Sequence, residues 1–237
     1  MLRNRMRMWW LPAGGLLLTL MATAAGKTSR ESSEGVDALF REFTGNIPGA
    51  SVLVLHNGRV ILKKAYGLAE LETNRQATPS TNYRLASVTK QFTATCILML
   101  AERGRFSLDD PLTKFFPDFP AYGREIRVRH LLSHTSGTPA YEDLLPEGNV
   151  PVLDADVLAI LMKTEKPYFP PGTQFRYSNS GYALLALIVE KISGLPFPEF
   201  LRKNIFVPLN MRASHVNLRH PAPDRHRAFG YSKRKDG

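Results

Sequence analysis

The chain has 237 residues, enough for one large domain or two small ones with a substantial core. Its 43% of hydrophobic and 10% of aromatic residues argue against long disorder, and its single cysteine excludes an internal disulfide. The formal net charge is +10, yet nucleic acid is not expected as a partner, because most basic residues are interspersed with acids. The exception is the basic stretch 219–237, which we interpret as a solvated surface segment.

The first 25 residues have the pattern of a secretory signal. The basic MLRNRMRM precedes 17 residues without a charge, and Ala22-Thr23-Ala24 is a small-x-small pattern that signal peptidase accepts. We predict a signal peptide over residues 1–24, a mobile linker over 25–35 and an exported domain, periplasmic or secreted, over 36–237. An uncleaved N-terminal membrane anchor is the minority alternative, because this apolar run is at the lower limit for a membrane span. Cleavage would remove three arginines and leave a charge of about +7, which still favours association with a membrane or cell-wall surface.

Two β-rich segments follow, in front of a long helical middle. Asn57-Gly58 separates GASVLVLH from RVILKKAYGLAEL and predicts a two-residue hairpin turn. VDALFREF before them has the spacing of a short helix, and TNRQATPSTNYR after them has the composition of a loop. A two-stranded hairpin is marginal alone, and only FGYSKRKDG at the end resembles the start of another hairpin. We therefore expect an α+β protein whose C-terminal strands are missing from this chain.

The middle of the chain predicts several helices. Residues 88–103 are apolar on nearly every side, which predicts a helix buried at the centre of the fold, ended by Gly104. Cys96 within it is interpreted as a packing residue rather than a reactive thiol. GYALLALIVEKISG is predicted as a helix capped by Asn179 or Ser180 and stopped by Gly194. Further helices are predicted in IRVRHLLSH, DADVLAILMKTE and FPEFLRKNIFVPL. The segment LDDPLTKFFPDFP is predicted to be turn-rich, and TSGTPAYEDLLPEGNVP is predicted to be irregular. A long loop is predicted in KPYFPPGTQFRYSNSG.

Ser87 and Lys90, three residues apart at the start of the apolar helix, are candidates for a nucleophile and its base. Residues at this spacing share a helix face. A serine hydroxyl needs a neighbouring base, and lysine can serve if its neutral amine is available. The pair alone is weak evidence, because a chain of this composition gives about 0.65 Ser-x-x-Lys matches by chance. A second match, Ser232 to Lys235, has no apolar helix behind it, and an exposed helix start remains the alternative for the first.

Tyr177-Ser178-Asn179, at the end of the long loop, is the second candidate. A tyrosine whose phenolate is stabilised by a lysine can shuttle protons, and an asparagine amide can hydrogen-bond a substrate amide. Alone, Tyr177 would be interpreted as a packed aromatic and Asn179 as a helix cap. A Ser-x-x-Lys pair about 90 residues upstream makes a hydrolytic site the stronger interpretation.

Three segments together resemble the serine β-lactamase-like family. They are LASVTKQFTATCILMLAERGRFSLDDPL, HLLSHTSGTPAY and PPGTQFRYSNSGYALLALIVEKISG, and the likeness runs from about Gly49 to the end. The family includes class C β-lactamases, low-molecular-weight penicillin-binding proteins (D-alanyl-D-alanine peptidases) and related esterases. The resemblance implies an antiparallel sheet flanked by helices, packed against an all-helical region with the active site in the cleft between.

The same resemblance implies roles for four residues. Ser87 would be acylated by a β-lactam, a D-Ala-D-Ala peptide or an ester. Lys90 and Tyr177 would share the base and proton-relay work, and Asn179 would orient the substrate amide. The Ser87 N–H and a second N–H from a sheet strand would hold the oxyanion. No cofactor is implied.

The sequence departs from the family pattern after the second motif. A third motif, Lys or His followed by Ser or Thr and Gly, is expected downstream, and residues 179–237 contain none. His134-Thr135-Ser136-Gly137 precedes the second motif and is assigned to a loop with a structural role. Without the third motif half of the oxyanion hole would be lost, a cost of about 3–4 kcal/mol in the transition state. The alternative to a hydrolase is therefore a catalytically inactive truncated remnant or a cell-envelope binding module.

Metal binding is not expected. His130 and His134 are four residues apart, but no third ligand accompanies them at a recognised spacing. Asp109-Asp110 is better interpreted as a turn and cap than as an acid–base pair. The choice among lactamase, peptidase and esterase, and the oligomeric state, are left open by the sequence.

Overall fold

The computed structural model describes residues 33–145, 152–217 and 224–232, which fall into two compact units. One unit comprises residues 33–83 together with 224–232, and the other comprises residues 84–145 and 152–217. The predicted signal peptide and residues 25–32 of the predicted linker lie outside the described residues. Within the three described ranges no helix is long and apolar enough to cross a membrane.

The first unit contains the predicted hairpin. Helix α1 (residues 33–39) begins inside the predicted linker and is followed by a 3-10 turn, Arg41–Phe43. Strands β1 (Ala50–His56) and β2 (Arg59–Tyr66) pair antiparallel, with a register shift after Val54. Asn57 and Gly58 between them have positive φ angles of 48° and 73°, the backbone that this tight turn requires. The hairpin prediction is confirmed.

A second small hairpin joins the end of the segment predicted as β-rich to the start of the predicted loop. Strand β3 (Leu68–Glu70) pairs antiparallel with β4 (Arg75–Gln76). The chain reverses at Asn74, which has a φ of 54°, and the Glu70 carboxylate closes the turn by pairing with Arg75 at 3.3 Å. The loop prediction was wrong for Arg75 and Gln76, because a two-residue polar strand carries no alternating pattern. Residues 228 and 229 add backbone hydrogen bonds to this unit, and residues 233–237 lie outside the described part of the chain.

The second unit contains the predicted apolar helix. Helix α2 (Lys90–Glu102) follows a 3-10 turn, Ala86–Thr89, and ends just before Gly104, whose φ is 68°. Cys96 is fully buried in it, and burial raises the pKa of its thiol to about 12, as a packing residue requires. Only one side of the apolar surface is buried, however, since Val88 and Leu98 are 56% and 49% exposed.

The described residues of this unit contain five further helices. The short helix α3 (Leu112–Phe115) lies in the segment predicted only as turn-rich, and the other helices agree with prediction. The long loop over residues 162–178 and the 3-10 turn Tyr141–Leu144 connect them. Their bounds are α3 Leu112–Phe115, α4 Val128–Leu132, α5 Asp154–Leu161, α6 Asn179–Ser193 and α7 Phe197–Leu201, with a π turn at Arg202–Phe206. Their shared core includes Phe115, Leu131, Leu161, Leu184, Ile188 and Leu201. Helices with small antiparallel sheets give the expected α+β class.

The start of α6 differs from the prediction by one residue. Ser178 caps the helix, since its Oγ accepts from the Gly181 N–H at 3.0 Å. The predicted caps are engaged elsewhere, because Ser180 Oγ accepts from the Tyr141 N–H and the Asn179 amide contacts Lys90. Gly194 stops the helix in the left-handed conformation, as predicted.

Candidate active site

Ser87 lies exposed in the 3-10 turn that leads into α2. The preceding residue, Ala86, has a φ of 47°, an uncommon backbone for a residue with a side chain. The Lys90 N–H donates to the Ser87 carbonyl, and Lys90 Nζ donates to Ser87 Oγ at 3.3 Å. The spacing of three residues thus brings the predicted nucleophile and base together.

Tyr177 meets the same hydroxyl from the other side of the site. Its Oη donates to Ser87 Oγ at 2.5 Å, although the two residues are 90 apart in sequence. Lys90 Nζ lies 4.7 Å from the centroid of the Tyr177 ring. The Lys90 ammonium first, and the Ser87 hydroxyl second, lower the pKa of the Tyr177 phenol. With 47% of its surface exposed, Tyr177 is not the packed aromatic of the alternative interpretation.

The Asn179 amide extends this network to a carboxylate that sequence reasoning missed. Lys90 Nζ donates to Asn179 Oδ1 at 2.6 Å, and Asn179 Nδ2 donates to Glu142 Oε1 at 2.7 Å. The amide is therefore oriented with its oxygen toward the lysine, and Nδ2 keeps a second hydrogen for another acceptor. Glu142 lies in the 3-10 turn of the segment predicted as irregular, where no periodicity shows which side chains face the site.

The two histidines considered for metal binding serve the backbone instead. His130 Nδ1 accepts from the Arg127 N–H at 3.2 Å, and His134 Nδ1 accepts from the Ser178 N–H at 3.1 Å. Burial is the first cause that lowers the pKa of each ring. Among the residues that the structure describes, no group of three His, Cys, Asp or Glu side chains could hold a metal ion.

The segment from His134 to Gly137 fixes the long loop that carries Tyr177. The carbonyls of His134, Thr135 and Gly137 accept from the N–H groups of three loop residues, Arg176, Gly172 and Tyr168, at 2.8–3.0 Å. Gly137 has a φ of 68°, and a Cβ there would lie 2.2 Å from the Phe169 carbonyl oxygen, so only glycine fits. This contact gives the segment the structural role expected of it.

The arrangement concentrates proton-transfer groups on one hydroxyl. Ser87 Oγ accepts from both a phenol and an ammonium, and each of these can receive a proton in its deprotonated form. All four predicted site residues, Ser87, Lys90, Tyr177 and Asn179, lie in one hydrogen-bonded network inside the second unit.

The chain is similar in sequence to bacterial proteins. The chain is 35% identical over 187 residues to penicillin-binding protein 4* of Bacillus subtilis (strain 168), with 76% of this chain and 41% of that protein covered. It is 33% identical over 215 residues to protein flp of Staphylococcus aureus (strain COL), with 86% and 42% covered. The chain thus spans less than half the length of these curated relatives.

Solved structures show the same likeness in three dimensions. An octameric penicillin-binding protein homologue from Pyrococcus abyssi superposes with a TM-score of 0.73 at 33% identity, with 86% of this chain and 48% of that one covered. D-amino acid amidase from Ochrobactrum anthropi SV3 gives a TM-score of 0.70 at 30% identity, with 80% and 53% covered. The model of the family described as beta-lactamase matches residues 36–237, from the predicted start of the domain to the last residue. This match covers most of the sequence, so the chain belongs to the β-lactamase family of serine hydrolases.

Proposed function

We propose that the protein is an exported serine hydrolase that acts through an acyl-enzyme on a β-lactam, a D-Ala-D-Ala peptide or an ester. The observation that carries the proposal is the double contact on Ser87 Oγ, from Tyr177 Oη at 2.5 Å and Lys90 Nζ at 3.3 Å. A hydroxyl flanked by two groups that can take its proton is the arrangement needed for an activated serine.

In the proposed reaction Ser87 Oγ attacks the substrate carbonyl carbon. The hydroxyl proton passes to Tyr177 or Lys90 as the new C–O bond forms and the carbonyl oxygen becomes an oxyanion. Collapse of this intermediate breaks the C–N or C–O bond to the leaving group, which takes a proton from the same relay. Water then attacks the acyl-enzyme, releases the acid and restores the serine.

The Lys90 ammonium supports the relay electrostatically. Hydrogen bonding with Lys90 first, and the charge of Lys90 in addition, lower the pKa of Tyr177, so the phenolate form is easier to reach at neutral pH. Asn179 holds the lysine through Oδ1 and, with the second hydrogen on Nδ2, can donate to a substrate carbonyl. A penicillin-binding protein and a D-amino acid amidase among the similar proteins support β-lactams and D-amino acid amides as the first substrates to test.

Labelling of Ser87 tests the proposal. The purified protein is incubated with a fluorescent penicillin or a fluorophosphonate, and the labelled peptide is identified by mass spectrometry. We expect one adduct, on the peptide that contains Ser87, and none in Ser87→Ala. Ser232→Ala removes the serine of the second Ser-x-x-Lys match and serves as the matched control, which should label like the wild type. No label on the wild type with either probe would favour the alternative, a non-catalytic envelope-binding protein.

The lifetime of the acyl-enzyme then distinguishes the substrate classes. Rapid hydrolysis of a β-lactam adduct indicates a lactamase, and a persistent adduct indicates a peptidase-like protein. Export rests on the pattern of residues 1–24, and N-terminal sequencing of the protein recovered from the cell envelope tests it. A mature chain that starts near Ala25 is expected, whereas an intact N-terminus in the membrane fraction would indicate the anchor.

A further inference from the structure

His134 contacts the Tyr177 ring and the residues on both sides of Tyr177. Its carbonyl accepts from the N–H of Arg176, the residue before Tyr177, at 3.0 Å. Its Nδ1 accepts from the N–H of Ser178, the residue after Tyr177, at 3.1 Å. Its ring packs on the Tyr177 ring, with 4.6 Å between centroids and 32° between planes. One residue thus fixes the backbone on both sides of the tyrosine and one face of its ring.

His134 is itself tightly constrained. Its φ of 59° lies in the left-handed region, which residues with a side chain adopt uncommonly. The ring also packs on Tyr182 of α6, with 5.1 Å between centroids, and edge-on against Phe175 at 5.9 Å. Strained backbone persists where the surrounding contacts determine it, and such positions cluster at functional sites.

We infer that His134 is a positioning residue that holds the Tyr177 hydroxyl on Ser87, and that it does so only while its ring is neutral. The inference rests on the proposed function and deepens it, because it assigns a pH limit to the proton relay. His134 touches neither Ser87 Oγ nor, in the proposed reaction, the substrate. It acts by holding Tyr177 in position.

The neutral ring is required by the geometry of the Ser178 contact. A nitrogen that accepts from an N–H must keep its lone pair, so the imidazole proton is on Nε2. A second proton would occupy Nδ1 and break the bond to the Ser178 N–H. Among the described residues, the titratable groups that act on the ring are Tyr177 from the long loop and Tyr182 from α6, which pack on it, and Lys90 from α2, whose charge acts on it. Burial first, and the Lys90 ammonium second, lower the pKa of His134 below its usual 6.5 and keep the ring neutral at pH 7.

The first test measures the wild-type protein alone. In protein labelled with 15N in its histidines, the His134 signals should show an unprotonated Nδ1 and a protonated Nε2 at pH 7. Their titration should give a pKa below 6.5, and the acylation rate by a chromogenic β-lactam should fall in acid with that same pKa. An Nδ1 that carries the proton, or an acylation rate that is flat through the histidine titration, overturns the inference.

The second test compares two histidine variants. His134→Asn keeps an acceptor oxygen near the position of Nδ1 and a residue type that tolerates a positive φ, but it has no ring and no titration in this range. We expect acylation to fall about tenfold with substrate affinity unchanged and the acid limb removed, since small misplacements of reacting groups cost up to about 10²-fold. His130→Asn is the control, because His130 also accepts from a backbone N–H through Nδ1, but that N–H belongs to Arg127 rather than to a neighbour of Tyr177.

The outcomes separate the two proposals. A wild type that is never acylated overturns the proposed function and the inference that rests on it. A wild type that is acylated while His134→Asn matches His130→Asn in rate and in pH profile overturns the inference alone.

Discussion

Replacement of Glu142 by alanine tests whether the carboxylate at the end of the network orients Asn179. Asn179 Nδ2 donates to Glu142 Oε1 at 2.7 Å, while Oδ1 accepts from Lys90 Nζ at 2.6 Å. Without the carboxylate, only the lysine would hold the amide plane. We therefore expect Lys90 and the remaining Asn179 donor to be less well placed toward Ser87 and the substrate.

The expected effect follows from the strength and exposure of this contact. A hydrogen bond to a charged group contributes about 1.5–3 kcal/mol when it is protected from water. Glu142 is exposed, and exposed ionic contacts typically contribute about 1 kcal/mol or less. An intermediate effect of about 1.4 kcal/mol on the transition state corresponds to a tenfold slower acylation.

Stopped-flow acylation with a chromogenic β-lactam measures this effect and separates the rate constant from the binding constant. Glu142→Gln keeps an acceptor oxygen without the charge and should stay within about threefold of the wild type. The charge control is Asp143→Asn in the same turn, since the Asp143 carboxylate faces Tyr168 and Arg176 rather than Asn179.

Two results would refute the reasoning. If Glu142→Ala acylates as fast as the wild type and as Asp143→Asn, then Glu142 does not orient the amide. If Glu142→Gln is as slow as Glu142→Ala, the charge matters and the hydrogen bond does not.

Three further predictions follow from the same contacts. Tyr177→Phe keeps the ring packing on His134 but loses the hydroxyl that contacts Ser87. The acylation rate should therefore fall by about 10²–10⁴-fold, with little change in the melting temperature. A fall of less than threefold would show that Tyr177 is not part of the proton relay. Ser178→Ala removes the cap of α6 and should lower the free energy of unfolding by about 1 kcal/mol in urea titrations, whereas unchanged stability would show that the cap is not needed. The folded-state pKa values of His130 and His134 are both lowered, first by burial. Each ring therefore binds its proton more weakly folded than unfolded, and stability should be full above pH 6.5 and decline as the pH falls through the folded values. Urea titrations between pH 7.5 and 5 check this, and the variant with both histidines changed to asparagine should show a flatter decline; an equal decline would assign the effect to other groups.

The sequence predicted correctly those parts of the fold that are determined by one or two residues. Asn57-Gly58 requires two positive φ angles and so determines the hairpin turn by itself. Gly194 ends α6 for the same kind of reason. Strand β4 and helix α3 were missed because each is four residues or fewer and depends on its neighbours rather than on a periodic pattern.

The site divides in the same way. The approach of Lys90 to Ser87 follows from their spacing, whereas the approach of Tyr177 across 90 residues follows from no local pattern and was expected from the presence of both motifs and from the family resemblance. Glu142 and His134 were not assigned to the site because their places depend on irregular segments. His134 had been considered for its spacing from His130 and as the start of a third-motif match, and the contact that matters is with a loop more than 40 residues away.

The geometry of the α6 N-terminus explains why a cap and a relay residue can share one short motif. The sequence posed capping and catalysis as alternatives for Asn179, but the middle residue of the motif, Ser178, supplies the cap through Oγ. Because Ser178 caps the helix, the side chains of Tyr177 and Asn179 are not needed as caps. Tyr177 precedes the cap and reaches Ser87, and Asn179 follows it and reaches Lys90. The backbone N–H of Ser178 donates to His134 Nδ1. His134 therefore holds the backbone of the motif that carries the cap, the relay tyrosine and the Asn179 amide. A change that shifts this N–H should therefore disturb helix stability and acylation together, and this coupling distinguishes His134 from a residue that only packs.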